Sequence, residues 1–137
     1  MNVSITAGLA MLNAMTALFN SGTLVFYSGA QPATPETALA SGSTALVTFT
    51  FAATAYGSPT NSGGFEVEAA SFASGSVAPT AAGTATFARA YESNGTTSIA
   101  DFTVGGTGTP DITIGNTAVQ MGVNVSITSF TLKVPVS

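Results

Sequence analysis

The sequence predicts a mainly β fold, an antiparallel β-sandwich or jelly-roll-like structure with one N-terminal α-helix, and three observations predict it. From Gly22 onward, runs rich in Val, Thr, Phe, Ile and Tyr alternate with Gly, Pro, Asn and Ser, the residues of strands and turns. The runs are short and closely spaced, leaving no room for the crossover helices of a parallel α/β fold. Only one stretch, near the start, has helical composition and spacing. A length of 137 residues suits one domain. Residues 1–21 are therefore read as its N-terminal helix and 22–137 as its β-sandwich.

The helix is expected over residues 4–20, where Ala, Leu and Met dominate. Leu9, Leu12, Met15 and Phe19 recur at three- and four-residue spacing and form one apolar stripe, expected to face the core. Docking of the helix on another chain is the alternative. Ser4 or Thr6 can cap its start, and Asn20-Ser21-Gly22 ends it. Strands are expected near 23–28, 44–54, 64–72, 83–92, 97–104, 110–114 and 123–134.

The first strand runs into "SGAQPATPETALA". Its prolines lack the N–H a ladder needs, so the segment must be extended or turn-like and stiff. A stiff segment loses less entropy on docking than a flexible loop. Gln31, Pro32, Ala33, Thr34 and Pro35 are accordingly the candidate interface residues, laid against a neighbouring subunit.

"FARAYESNGTTSIADF" reads as a hairpin, with Asn94-Gly95 as a type I′ turn in which both residues take positive φ. A two-residue loop would set Tyr91 opposite Ser98, Arg89 opposite Ala100 and Phe87 opposite Phe102. Phe87, Arg89, Tyr91, Phe102 and Val104 would then share the core face. Arg89 there needs a carboxylate, and Glu66 and Glu68, on one face of "GFEVEAA", are the candidates for a buried ion pair. The bland alternative leaves Arg89 at the sheet margin with its head in water. In the last strand, Val123, Val125 and Ile127 fall at odd positions but Phe130, Leu132 and Val134 at even ones. A bulge near Thr128–Ser129, or a crossing between sheets there, reconciles the two phases.

Charge is the anomaly. Asp, Glu, Lys and Arg make up 6% of the chain, against roughly 25% in an ordinary soluble domain. Such a surface is poorly solvated and suits a subunit covered by neighbours. With two basic residues, Arg89 and Lys133, and a net charge of −4, a nucleic-acid partner is not expected. The longest apolar tract, Leu9–Phe19, is too short to span a bilayer and no basic residue precedes it, so no membrane or secretory role is expected.

Catalytic devices are scarce. Without histidine or cysteine, Ser-His-Asp and Cys-His arrangements and thiolate metal sites are impossible. A Ser-Lys dyad would depend on Lys133, which no motif accompanies. Glu66 and Glu68, roughly 7 Å apart on one strand face, have a separation compatible with glycoside hydrolysis. Solvated or Arg-paired glutamates are the better reading, since no tryptophan is present to bind a sugar. Asp101 and Asp111 lack the spacing of a calcium loop, and the glycines at 105, 106 and 108 precede a strand instead of a phosphate-binding helix. No catalytic residue, cofactor or metal is expected.

Taken in order, the Ala/Leu/Met helix, "SGTLVFYSGAQPATPETAL", "GTATFARAYESNGTTSIADFTVG" and "DITIGNTAVQMGVNVSITSFTLKVP" resemble a family of small virion proteins of tailed bacteriophages. The resemblance covers most of the chain, though "ESNGTT" stands where an Asp-rich hairpin would be typical. It implies a non-enzymatic structural role. The expected protein is a capsid decoration or cement protein on the capsid exterior, assembled in the bacterial host cytoplasm. Its expected partners are the major capsid protein or other virion subunits and further copies of itself, possible as a trimer. A tail or baseplate component is the first alternative. A carbohydrate-binding or host-adhesion module using Tyr27, Tyr56 or Tyr91 is the second.

Overall fold

The computed structural model describes residues 3–57, 60–62, 65–107 and 110–135; for strand residues 60–62, 65–69 and 133–135 the description is of backbone alone. The fold is mainly β, with one helix, α1 (Ile5–Ala17), followed by β1 (Thr23–Tyr27), β2 (Ala45–Tyr56), β3 (Thr60–Ser62), β4 (Phe65–Phe72), β5 (Ser76–Val77), β6 (Gly83–Thr84), β7 (Phe87–Tyr91), β8 (Ser98–Gly105), β9 (Ile112–Ile114), β10 (Ala118–Val119) and β11 (Val125–Pro135).

Ser4 caps α1, its hydroxyl accepting the Ala7 N–H at 3.2 Å. The helix ends at Ala17 with Leu18 as its C-cap, short of the expected residue 20, and the chain turns toward β1 where Ser21 takes φ 57° and Gly22 follows. Gly22 is required by space: a Cβ there would lie 2.2 Å from the Tyr91 carbonyl oxygen. Its own N–H donates to Phe19 O, and its carbonyl accepts the Phe51 N–H. The helix end is thereby stitched to β2. Of the expected stripe, Leu12 and Phe19 are fully buried while Leu9 and Met15 are half-buried.

The sheet is sandwich-like, strongly curled and mostly antiparallel, and its ends meet. Neighbours run β4-β2-β1-β7-β8-β9-β11, and β11 pairs again with β4. The exception to antiparallel pairing is β8 beside β9, which run parallel from Val104↔Ile112 to Gly105↔Thr113. β11 makes the closure by changing partners along its length. It pairs with β5 at Val125 and Ser126, with β9 between Ile127 and Phe130, and with β4 from Thr131 to Pro135. Thr128 is skipped in the β9 ladder, between Ile127↔Ile114 and Ser129↔Thr113. This is the bulge that the phase change required, and it keeps Val125, Phe130 and Leu132 all buried. Val123, by contrast, lies before the strand and is exposed.

Aromatic rings fill the interior. Phe19 reaches Phe51 and Tyr56 on β2 (5.3 and 5.4 Å between ring centres) and Phe102 on β8 (6.5 Å). Phe130 touches Phe51, Tyr56, Phe72 and Phe102. Edge-to-face pairs at these separations add to the stabilisation from burial alone. The rings bind the helix and four strands into one core.

The hairpin departs from expectation at its tip. Gly95 alone has positive φ, 75°, so no type I′ turn forms. Glu92 donates its N–H to Thr97 O, and Gly95 N–H donates to Glu92 O. The Asn94 side-chain oxygen accepts the N–H groups of Thr96 and Thr97. A side chain thus satisfies donors that a tighter turn would have left to the strands.

Candidate functional site

The site expected at residues 31–35 is built on the outer face of β1, β7 and β8. Tyr91 pairs with Ser98 as expected, but the register then shifts, and Ala90 faces Ala100 while Arg89 faces Asp101. Ile99 is the extra residue. It packs against the main core together with Ala100, Phe102 and Val104. Ala88 and Ala90 face that core as well, whereas Phe87 joins Val25 and Tyr27 in a separate small cluster. The expected single face of Phe87, Arg89, Tyr91, Phe102 and Val104 is therefore corrected: the bulge divides it between the two sides of the sheet.

The second correction concerns the partner of Arg89. Its Nε donates to Asp101 Oδ1 at 2.6 Å and its Nη2 to Oδ2 at 2.9 Å. The two side chains are 5% and 4% exposed. Glu66 and Glu68 are on β4, which β2 and β1 separate from β7; their side chains lie outside the described residues. Neither solvent at a sheet margin nor a distant strand answers the guanidinium. The carboxylate comes from its own hairpin.

A strap covers this pair. Leaving β1, the chain turns at Gly29, φ 98°, and returns over the sheet. Arg89 Nη1 donates to Thr37 O at 2.9 Å and Nη2 to Thr34 O at 3.3 Å. Ser98 Oγ donates to Pro35 O at 2.7 Å. Thr37 N–H closes a turn onto Thr34 O, and the two threonine hydroxyls are 2.9 Å apart. Leu39 completes the contact by packing on the Val25–Tyr27–Phe87 cluster. The segment thus lies on its own sheet, with its carbonyls at 34, 35 and 37 already bonded. Gln31, Ala33 and Thr34 remain exposed, and Pro32 and Pro35 are half-buried.

Electrostatics hold the arrangement charged. The hydrogen bonds Arg89 donates to Asp101, aided by the carboxylate's charge, raise the Arg89 pKa further against the opposing effect of burial. Beside it the Tyr27 and Tyr91 hydroxyls are 2.8 Å apart, and Tyr27 stacks on Phe87 at 5.3 Å. Burial, then the Tyr91 hydrogen bond, pushes the Tyr27 phenol well above its ordinary value. Chemically, the cluster is a fastening: every group in it is engaged with another, and its product is a stiff outer strap.

The remaining expected positions are dispersed. Asp111 binds the Thr103 N–H and hydroxyl at 3.0 and 3.2 Å, so Asp101 and Asp111 serve different contacts. No group of three metal-ligating side chains occurs among the described residues. The Lys133 side chain lies outside them. An open groove of about 310 Å³ borders β10 and the start of β11, with Asn116, Gln120, Asn124 and Ser126 in its wall and no titratable side chain. No described helix is long and apolar enough to cross a membrane. Compared with known proteins, the chain matches no family model, no curated protein and no solved structure.

Proposed function

We propose that this chain is a non-enzymatic structural protein of a tailed-bacteriophage virion, a decoration or cement protein on the capsid exterior that binds the major capsid protein and other copies of itself. The observation that carries the reading is the poverty of surface charge. The chain has eight ionic side chains, and two of them, Arg89 and Asp101, neutralise each other beneath the strap. Few are left for an accessible surface of 6890 Å², on which Ile5, Met11, Leu18, Met121 and Val123 are also exposed. A surface of that kind gains from being covered. The strap supplies a preorganised contact element, since its ordering cost has been met within the subunit.

The adhesion reading is less well supported. Tyr27 and Tyr56 are 7% and 5% exposed, and Tyr91 is half-buried, which leaves no tyrosine as an open platform for a sugar. A tail or baseplate position draws on the same surface argument as a capsid position. Antibodies against the purified chain, applied to intact particles from cells that express it, test the proposal. Labelling of the head exterior is expected. Labelling confined to the tail replaces cement with a tail component, and unlabelled particles overturn the virion reading.

A further inference from the structure

An asparagine followed by glycine is chemically unstable. The backbone nitrogen of the glycine can attack the side-chain carbonyl carbon, and with no Cβ the glycine neither obstructs that approach nor resists the dihedral angles it needs. Asn94-Gly95 is the only such pair in the sequence; the other asparagines precede Val, Ala, Ser or Thr. It stands at the tip of the β7–β8 hairpin, where residues 93–97 are all exposed to water.

We infer that Asn94 is a site of spontaneous deamidation that the folded hairpin holds shut, with Thr97 as a positioning residue. The reaction needs a free Gly95 nitrogen, a side-chain carbonyl able to turn toward it and an amide able to leave. The fold engages all three. Gly95 N–H donates to Glu92 O at 2.9 Å. Asn94 Oδ1 accepts the N–H groups of Thr96 and Thr97, each at 2.9 Å. Asn94 Nδ2 donates to Thr97 Oγ1 at 2.7 Å. Both ends of the side-chain amide are therefore tied to Thr97, and the amide cannot rotate without breaking a hydrogen bond.

The chemistry runs when the tip opens. Gly95 N bonds to Asn94 Cγ, and the Gly95 proton passes to water. The Cγ–Nδ2 bond breaks, and the nitrogen leaves as ammonia with a proton taken from water. Water then adds to one carbonyl carbon of the cyclic imide and reopens the ring. Breaking the new N–Cγ bond restores the main chain with aspartate at position 94. Breaking the original peptide bond leaves isoaspartate, with the main chain routed through the side chain. One water is consumed and one ammonia released, with no oxidant or reductant. The two products differ in consequence. Aspartate keeps an acceptor for the Thr96 and Thr97 N–H groups, now charged, and adds one negative charge to a chain of net −4. Isoaspartate adds a methylene to the main chain and removes that acceptor, so the tip loosens. The site and the virion reading are independent of each other.

The test follows conversion at Asn94, at mildly alkaline pH, in the folded protein and in the protein unfolded by guanidinium chloride. Trypsin, cutting after Arg89 and Lys133, puts Asn94, Asn116 and Asn124 on one peptide, and fragmentation assigns the position. In denaturant, Asn94 is expected to convert ahead of every other asparagine. In the folded protein its rate is expected to be at least ~10-fold lower, a ratio equivalent to about 1.4 kcal/mol of barrier. Thr97→Val removes the acceptor for Nδ2 at nearly constant shape and keeps the Thr97 N–H. It is expected to raise the folded-state rate at least ~3-fold, the effect of losing one modest hydrogen bond, while melting like the wild type and leaving the rate in denaturant unchanged. Thr97→Ser keeps the hydroxyl and is expected to keep the wild-type rate. Equal rates in folded and unfolded protein overturn the protection by the fold. Conversion of another asparagine ahead of Asn94 in denaturant overturns the site. A Thr97→Val rate equal to that of the wild type, or matched by Thr97→Ser, overturns the role of Thr97.

Discussion

Arg89 and Asp101 face each other across the β7–β8 hairpin because Ile99 is left out of the ladder between them. One bulged residue turns Ile99 and Phe102 to the core and the carboxylate to the guanidinium. The same guanidinium then holds the strap through Thr34 and Thr37.

Removing one member of that pair is expected to cost far more than removing both. Arg89→Met or Asp101→Leu alone strands a buried charge and should destabilise by about 3–5 kcal/mol. The double substitution should lose appreciably less than the sum. Urea unfolding of the four proteins measures the cycle. Limited proteolysis should cut near residues 31–38 faster in Arg89→Met, since the strap carbonyls lose their donor.

Alkaline pH should weaken the fold. Tyr27 stays protonated in the folded chain above its ordinary pKa of 10.0, whereas the unfolded tyrosine ionises. The unfolded state then binds fewer protons, so stability is fully present below pH 10 and falls above it, at up to about 1.4 kcal/mol per pH unit from this group. Urea midpoints between pH 8 and pH 11.5 should show this decline, and Tyr27→Phe should flatten it.

Gly22→Ala should be among the most damaging small substitutions. Its Cβ would collide with the Tyr91 carbonyl oxygen, a backbone atom that cannot turn aside. A loss of about 3 kcal/mol or more is expected. Gly42, where an added Cβ meets nothing within 4 Å, is the control, and Gly42→Ala should melt within a few degrees of the wild type.

Ala33→Arg tests the strap as a contact surface. Ala33 is exposed, so the change should alter stability by no more than about 0.5 kcal/mol. Incorporation into particles should fall sharply. Normal incorporation would take the strap out of the interface and leave the fold unaffected.

Most strands were readable because β-branched and aromatic runs bounded by Gly, Pro, Asn and Ser act locally. The expected strands at 44–54, 64–72 and 97–104 lie close to β2, β4 and β8. The bulge in β11 was also legible, because two phases of apolar residues in one strand cannot share a face without it. The bulge at Ile99 had no such mark. Its one visible hint was a buried arginine whose nearest hairpin carboxylate, Asp101, lay one residue out of register.

The amino-acid order alone determined the β class, the single helix with the turn at Asn20-Ser21-Gly22 beyond it, and the near absence of charge. Each of these follows from the preferences of neighbouring residues. Tertiary structure decided that β11 closes the sheet between β9 and β4, that Asp101 and not Glu66 or Glu68 answers Arg89, and that the proline-rich segment is fastened to its own sheet. Those outcomes join residues such as Thr37 and Arg89, which lie 52 positions apart. No local propensity spans that distance, and the partners were selected by burial, which leaves a buried charge no alternative to the nearest carboxylate and carbonyls.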